Sequence, residues 1–221
     1  MRRVYVVGVL VAVFALLMSA ATSAVPPDGG WQRSSFDGES AQAFWFEGTE
    51  TGVQFVDVWL NSGVSTFGDE SFESSFVNVS IAEDSFPDSV TEYSGFAELA
   101  PDQFAITKNS AFVNVELELN GQSCTFTEDP EGFFDQDCEP LDPIFVAVEV
   151  SWDAFGRIYP AHTVGNTSSP FDRFHFMERS KAKQAIATGS ISGGLVLALG
   201  EADQASVSKD SFQDRFRFEA P

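Results

Sequence analysis

Basic residues are scarce in this chain. Across 221 residues, 12 Lys and Arg stand against 33 Asp and Glu, for a formal charge of −21. A surface so rich in carboxylates repels a phosphate backbone, which argues against nucleic acid as a partner. Cysteine is nearly absent too. Cys124 and Cys138 are the only two, too few for a four-thiolate zinc site or an iron–sulfur cluster. Histidine occurs only as His162 and His175, and Phe174-His175-Phe176-Met177-Glu178 lacks the HExxH spacing of a zinc protease. No GxGxxG or GxxxxGK[ST] loop exists to cradle a nucleotide phosphate. Gly189-Ser190-Ile191-Ser192-Gly193 misses the GxSxG spacing of a nucleophile elbow. A carboxylate pair could serve a glycosidase, but 33 acids make some pairing inevitable and therefore uninformative. The expectation is a protein without catalytic activity.

What is present points to a folded domain. Hydrophobic residues make up 43% of the chain and aromatics 14%, enough apolar surface to offset the entropy of ordering.

Residues 1–24 read as a secretory signal peptide. Arg2-Arg3 forms the basic head, Val4–Met18 is uncharged and apolar, and Ser19–Ala24 supplies small residues before Val25-Pro26-Pro27. Cleavage after Ala24 or after Ala21 fits the pattern. The apolar run is shorter than the roughly 20 residues of a spanning helix. No second long apolar segment follows; Leu195–Leu199 is strand-sized. The expected product is a mature domain, residues 25–221, outside the cytoplasm (secreted or envelope-associated) and not inserted in a membrane.

Charge is unevenly distributed. Residues 34–156 hold 25 acids and one base, Lys108, whereas residues 157–221 hold 7 acids and 8 bases. The asymmetry suggests either two small subdomains, divided near residues 140–156, or two faces of one domain.

A six-residue pattern recurs at Phe55–Leu60, Phe76–Ile81, Phe112–Leu117 and Phe145–Val150. In each, the second, fourth and sixth residues are aliphatic and most others polar. Period-two alternation with β-branched residues predicts strands with one buried face. Further strands are expected at Ala41–Phe46, Phe104–Thr107, Ala185–Ile191, Leu195–Leu199 and Phe212–Phe218. Turn chemistry clusters at Asn61-Ser62-Gly63, Gly68–Ser71, Glu83–Ser85, Asn120-Gly121 and Gly193-Gly194. Of these, Asn120-Gly121 predicts a tight hairpin most sharply. Helix signals are poor, limited to a turn or two within Phe174–Lys183 or Glu201–Ser206. Together these features predict an all-β fold, an antiparallel β-sandwich.

The segment Val148-Glu149-Val150-Ser151-Trp152 with Gly156, followed by Arg179 and Lys181–Ile191, resembles uncharacterised secreted bacterial β-sandwich proteins. Those proteins also pair a strand ending in Trp with a basic stretch running into an Ala-Thr-Gly strand. The resemblance spans about residues 145–195 and implies export and fold; it carries no activity.

Three features are candidates for function or stability. Cys124 and Cys138, in an exported chain, predict a structural disulfide. Between and beyond them runs the acidic stretch Glu128–Asp142, in which Glu131, Asp135 and Asp137 are candidate oxygen ligands for calcium. Its spacing does not match an EF-hand, and a solvated acidic loop is the commoner outcome. Trp45 and Trp59 are candidate stacking platforms for a sugar, although strand aromatics more often belong to a core. The expected role is binding or attachment to the envelope, with an extracellular glycan or protein as partner. The alternatives are a calcium-dependent carbohydrate-binding module and a secreted hydrolase using a carboxylate pair.

Overall fold

A computed structural model describes residues 31–49, 52–85, 89–128, 134–168 and 172–218. The signal peptide expected over 1–24 lies outside the described residues. Ten strands are present among them: β1 (Trp31–Gly48), β2 (Val53–Phe67), β3 (Glu70–Ser85), β4 (Ser89–Glu98), β5 (Phe104–Ile106), β6 (Ser110–Glu128), β7 (Phe134–Ser168), β8 (Asp172–Gly193), β9 (Leu197–Leu199) and β10 (Gln204–Phe218). The fold is all-β and antiparallel, as expected. No helix among the described residues is long and apolar enough to cross a membrane. Phe174–Lys183, where at most a turn or two of helix is expected, lies within β8.

The arrangement of strands differs from a two-sheet sandwich. All ten belong to one sheet, in the order β10-β1-β2-β3-β4-β6-β7-β8-β9, and β10 also pairs with β8. Eight long strands therefore close into a ring that follows chain order, with β5 and β9 as short additions to β6 and β8. Alternation dictates a buried face; it does not dictate whether that face meets a second sheet or the far wall of its own. In an eight-stranded ring the interior is just wide enough for side chains to fill.

The four recurrent segments fill it. Val56, Val58 and Leu60 face Ile81, Val79 and Val77 across β2 and β3, and Val113, Val115 and Leu117 face Val150, Val148 and Val146 across β6 and β7. All twelve are buried. Trp152 fits beside them because its two cross-strand neighbours, Ala111 and Ala187, are small. The outer face of the same wall carries Glu116, Glu118, Glu149 and Asp153, all exposed. A lipid-facing barrel surface is an apolar band, and these carboxylates do not form one.

Asn120-Gly121 does not make the expected hairpin. β6 continues through it to Glu128, with a register shift between Leu119 and Gly121. A Cβ on Gly121 would stand 2.4 Å from the Tyr93 ring, so glycine serves close packing rather than a turn. Asn61-Ser62-Gly63 is likewise interior to β2, where Gly63 opposes Gly38 beneath the Phe36 ring. Gly68 does turn the chain between β2 and β3, at φ 61°. β7 runs unbroken through residues 140–156, where the charge shift had suggested a subdivision, and is bonded to β6 and β8 there.

The closed layer ends where β4 stops at Glu98 and β6 begins at Ser110, opposite Asp153. Among the described residues, only β7, β8, β10, β1, β2 and β3 continue beyond that level, and Lys181, Arg179, Lys209, Gln213 and Arg215 on their core-facing side are exposed. The face that is core below thus becomes open above. Val64, two same-face positions past buried Leu60, is 38% exposed. On the reverse face, Phe174, Phe176 and Phe212 pack together, with the Phe176 ring laid over Gly165. Asp214, also on that reverse face, is buried and accepts hydrogen bonds from the Ser34 amide at 3.0 Å and from the Ser34 hydroxyl. Replacing Asp214 with Ala orphans both donors, and urea unfolding should show a loss of about 1–3 kcal/mol.

Candidate anion-binding face

The sequence candidates are dispersed by the fold. Cys124 and Cys138 are directly opposite one another on β6 and β7 and are disulfide-bonded. Asp137 stands on β7 opposite Thr125, and Asp135 at the register position opposite Thr127, so this part of the acidic stretch is strand rather than loop. Glu131 lies outside the described residues. Among the described residues, no group of three or more His, Cys, Asp or Glu is placed to hold a metal ion. Trp45 is not a surface platform. It is 6% exposed, and its indole N–H donates to the Gly200 carbonyl at 2.9 Å, which spends the ring on closing the barrel between β1 and the β9–β10 link. Trp59 is half-buried on the outer face, edge-on to Phe76 with ring centres 5.5 Å apart.

Among titratable groups on that outer face, Asp57 has a raised pKa because burial penalises its charge; a hydrogen bond from Gln42 at 3.0 Å partly offsets this. A raised folded-state pKa means the charged form destabilises the fold at neutral pH, and the penalty fades as pH falls through that pKa. Asp57→Asn should therefore raise the melting midpoint at pH 7. The gain should shrink on acidification and vanish below about pH 4, where the unfolded carboxyl is protonated as well. Paired thermal scans across that range check the sign.

The sequence candidates did not include the feature that the open wall displays most clearly. Alternate residues of β8 continue the core-facing side beyond Ala187 and Ala185 as Lys183, Lys181, Arg179, Met177, His175 and Arg173. The neighbouring strands add their own bases in register. Arg33 of β1 opposes Arg215 of β10, which opposes His175; Lys209 opposes Lys181; and His162 of β7 opposes Arg179. Directly opposed residues of antiparallel strands share a face. Among the described side chains, seven of the chain's 12 bases, and both histidines, thus occupy one side of four adjacent strands.

Local neutralisation of these charges is incomplete. Lys209 lies 3.3 Å from Asp37, and Lys183 donates to the Asn109 side chain at 2.8 Å at the mouth of the closed layer. Among the described residues, Arg33, Arg179, Lys181 and Arg215 have no carboxylate at ion-pair distance. His175 Nδ1 and Asn166 Oδ1 are 2.5 Å apart, which orients the imidazole with Nε2 away from Asn166. A pocket of about 130 Å³ is lined by His175, Met177, Gln213 and Arg215 of this face together with Asp214. Like charges facing each other across strands destabilise a sheet. A chain with 33 acids could have placed carboxylates at these positions and did not.

No family model matches the chain, and no curated protein does. One solved structure found in comparison is titled "Enduracididine Biosynthesis Enzyme MppR with HEPES Buffer Bound". It is 8% identical, covers 90% of each chain, and superposes with a TM-score of 0.22. At that score the likeness carries no argument about fold or function.

The signal that would have found the basic face was present in the sequence. Arg179-Ser180-Lys181-Ala182-Lys183 places bases at period two, as does Arg215-Phe216-Arg217. Each run reads as one face of a strand. That the two runs lie side by side follows only from the β8–β10 pairing.

Proposed function

We propose that the mature chain is an extracytoplasmic, non-catalytic binding protein whose working surface is the cationic open wall of β8, β10 and β1. One observation carries this reading: seven of 12 bases gathered on one exposed face of a chain whose net charge is −21. Such a face attracts anions at contact while the rest of the molecule repels them, so an anionic partner is oriented toward this wall. The disulfide and the N-terminal export pattern support a location outside the cytoplasm, where structural disulfides persist.

The test compares the mature protein with Arg179→Glu/Lys181→Glu on a panel of immobilised anions and neutral controls. Wild type should bind anionic members, more weakly as salt rises, and the charge reversal should abolish binding. Undiminished binding by the variant, or preference for neutral members, would overturn the reading. Thermal scans with calcium, chelator and matched sodium chloride belong beside it. Equal stabilisation by both salts identifies screened self-repulsion, whereas a shift specific to calcium points to the carbohydrate-module alternative.

A further inference from the structure

We infer that the anion received by this wall is a linear acidic polysaccharide laid along β8, an inference that rests on the binding reading above. The geometry of the stripe favours a chain over a single small ion. Same-face residues on a strand recur about every 6.8 Å, so Arg173 to Lys183 spans about 34 Å. Cationic or ionisable groups stand at five of its six positions, with Met177 as the exception. A polymer carrying one carboxylate or sulfate on each sugar matches a run of separated charges; a lone ion uses only one of them.

The surroundings narrow the partner further. The stripe is flanked by acids: Asp37 and Glu39 on β1, and Glu73 beyond them on β3, share the face. A broad polyanion such as duplex DNA would press its phosphates against these carboxylates, while a single thin chain need not. Aromatic rings are missing from the described positions of this face on β8 and β10, since Phe174, Phe176 and Phe212 point to the reverse side. Single-stranded nucleic acids rely on such rings for base stacking. What lies between the charges is Ser35, Ser211 and Gln213, which can hydrogen-bond sugar hydroxyls.

The experiment uses the mature protein and a length series of oligogalacturonides, with galacturonate monomer, neutral dextran and single- and double-stranded DNA as further arms. Affinity should climb with oligomer length until the stripe is filled and then level off. The monomer should bind at least tenfold more weakly, and dextran not at all. Lys181→Gln and Arg179→Gln should each weaken the long oligomer by about fivefold to tenfold. Lys181→Gln should melt no lower than wild type, because it removes a cation directly opposite another, Lys209. Arg157→Gln, at the β7 bulge with its guanidinium over the Tyr159 ring, should bind as wild type does.

A monomer as tight as the oligomers would mean a small-anion pocket, and DNA binding as tight as the glycan would mean unselective charge. Self-association lost in the Lys181→Gln variant would mean that the acidic face of a second copy is the occupant. Each of these overturns the inference while leaving a cationic binding wall. Absence of binding to every anion would overturn both readings.

Discussion

Trp152→Ala should cost about 3–5 kcal/mol, one of the largest single losses expected in this molecule. Trp152 is 1% exposed, sits between Ala111 and Ala187, and has nothing but the barrel interior to collapse into it. The small flanking residues that make room for the indole cannot refill the space when it is gone. For a domain of this size the melting midpoint should fall by roughly 10–15 °C. The companion variant separates packing from polarity. The Trp152 indole N–H finds no acceptor among the described residues, so Trp152→Phe keeps most of the ring and removes an orphaned donor. It should lose less than half as much. A Phe variant as damaged as the Ala variant would show that the N–H is satisfied after all.

Loss of the Cys124–Cys138 bridge is the second large expectation. The bond closes a short loop, a sequence separation of 14, and in the loop-entropy model such a crosslink stabilises by about 3 kcal/mol. Cys124→Ala/Cys138→Ala should therefore melt roughly 6–12 °C lower. The cross-strand partners Ser123–Glu139 and Thr125–Asp137 stay hydrogen-bonded in register around the site. The effect should therefore appear as lower stability with an unchanged far-ultraviolet spectrum, and the reduced wild type should behave the same way. A fall of less than about 1 kcal/mol would show that the β6–β7 ladder already restrains the unfolded chain at this point.

The two results concern different parts of one barrel. Trp152 lies near the top of the closed layer, just below the opening, and the disulfide lies toward its other end on the same strand pair. Both are stabilised by interactions that the cationic wall does not share, so damage at either should leave anion binding intact in whatever fraction stays folded. Conversely, relieving charge on the wall should change binding without costing stability. That opposition is what would separate a working surface from a structural one.

The aliphatic positions at 56, 58 and 60, and their counterparts on β3, β6 and β7, were legible because period-two alternation is a local property of the chain. The all-β class and the cysteine pairing were legible for comparable reasons: strand propensity, the lack of helical periodicity, and only two thiols to join. Closure of the sheet was not. It depends on β10, already paired with β8, also pairing with β1, a strand more than 150 residues away in sequence that no local pattern points to. Asn120-Gly121 misled because a dipeptide suited to a turn is equally suited to a bulge under Tyr93, and only the packing chooses. Trp45 looked like a platform until closure placed it against Gly200. The cationic wall shows both sides of the matter. Which bases share a face of β8 is written in their spacing of two along one strand. That β10 and β1 add theirs beside it, and that the described residues leave this side exposed, follows from strand neighbours and strand ends, which are set by the closing of the whole sheet.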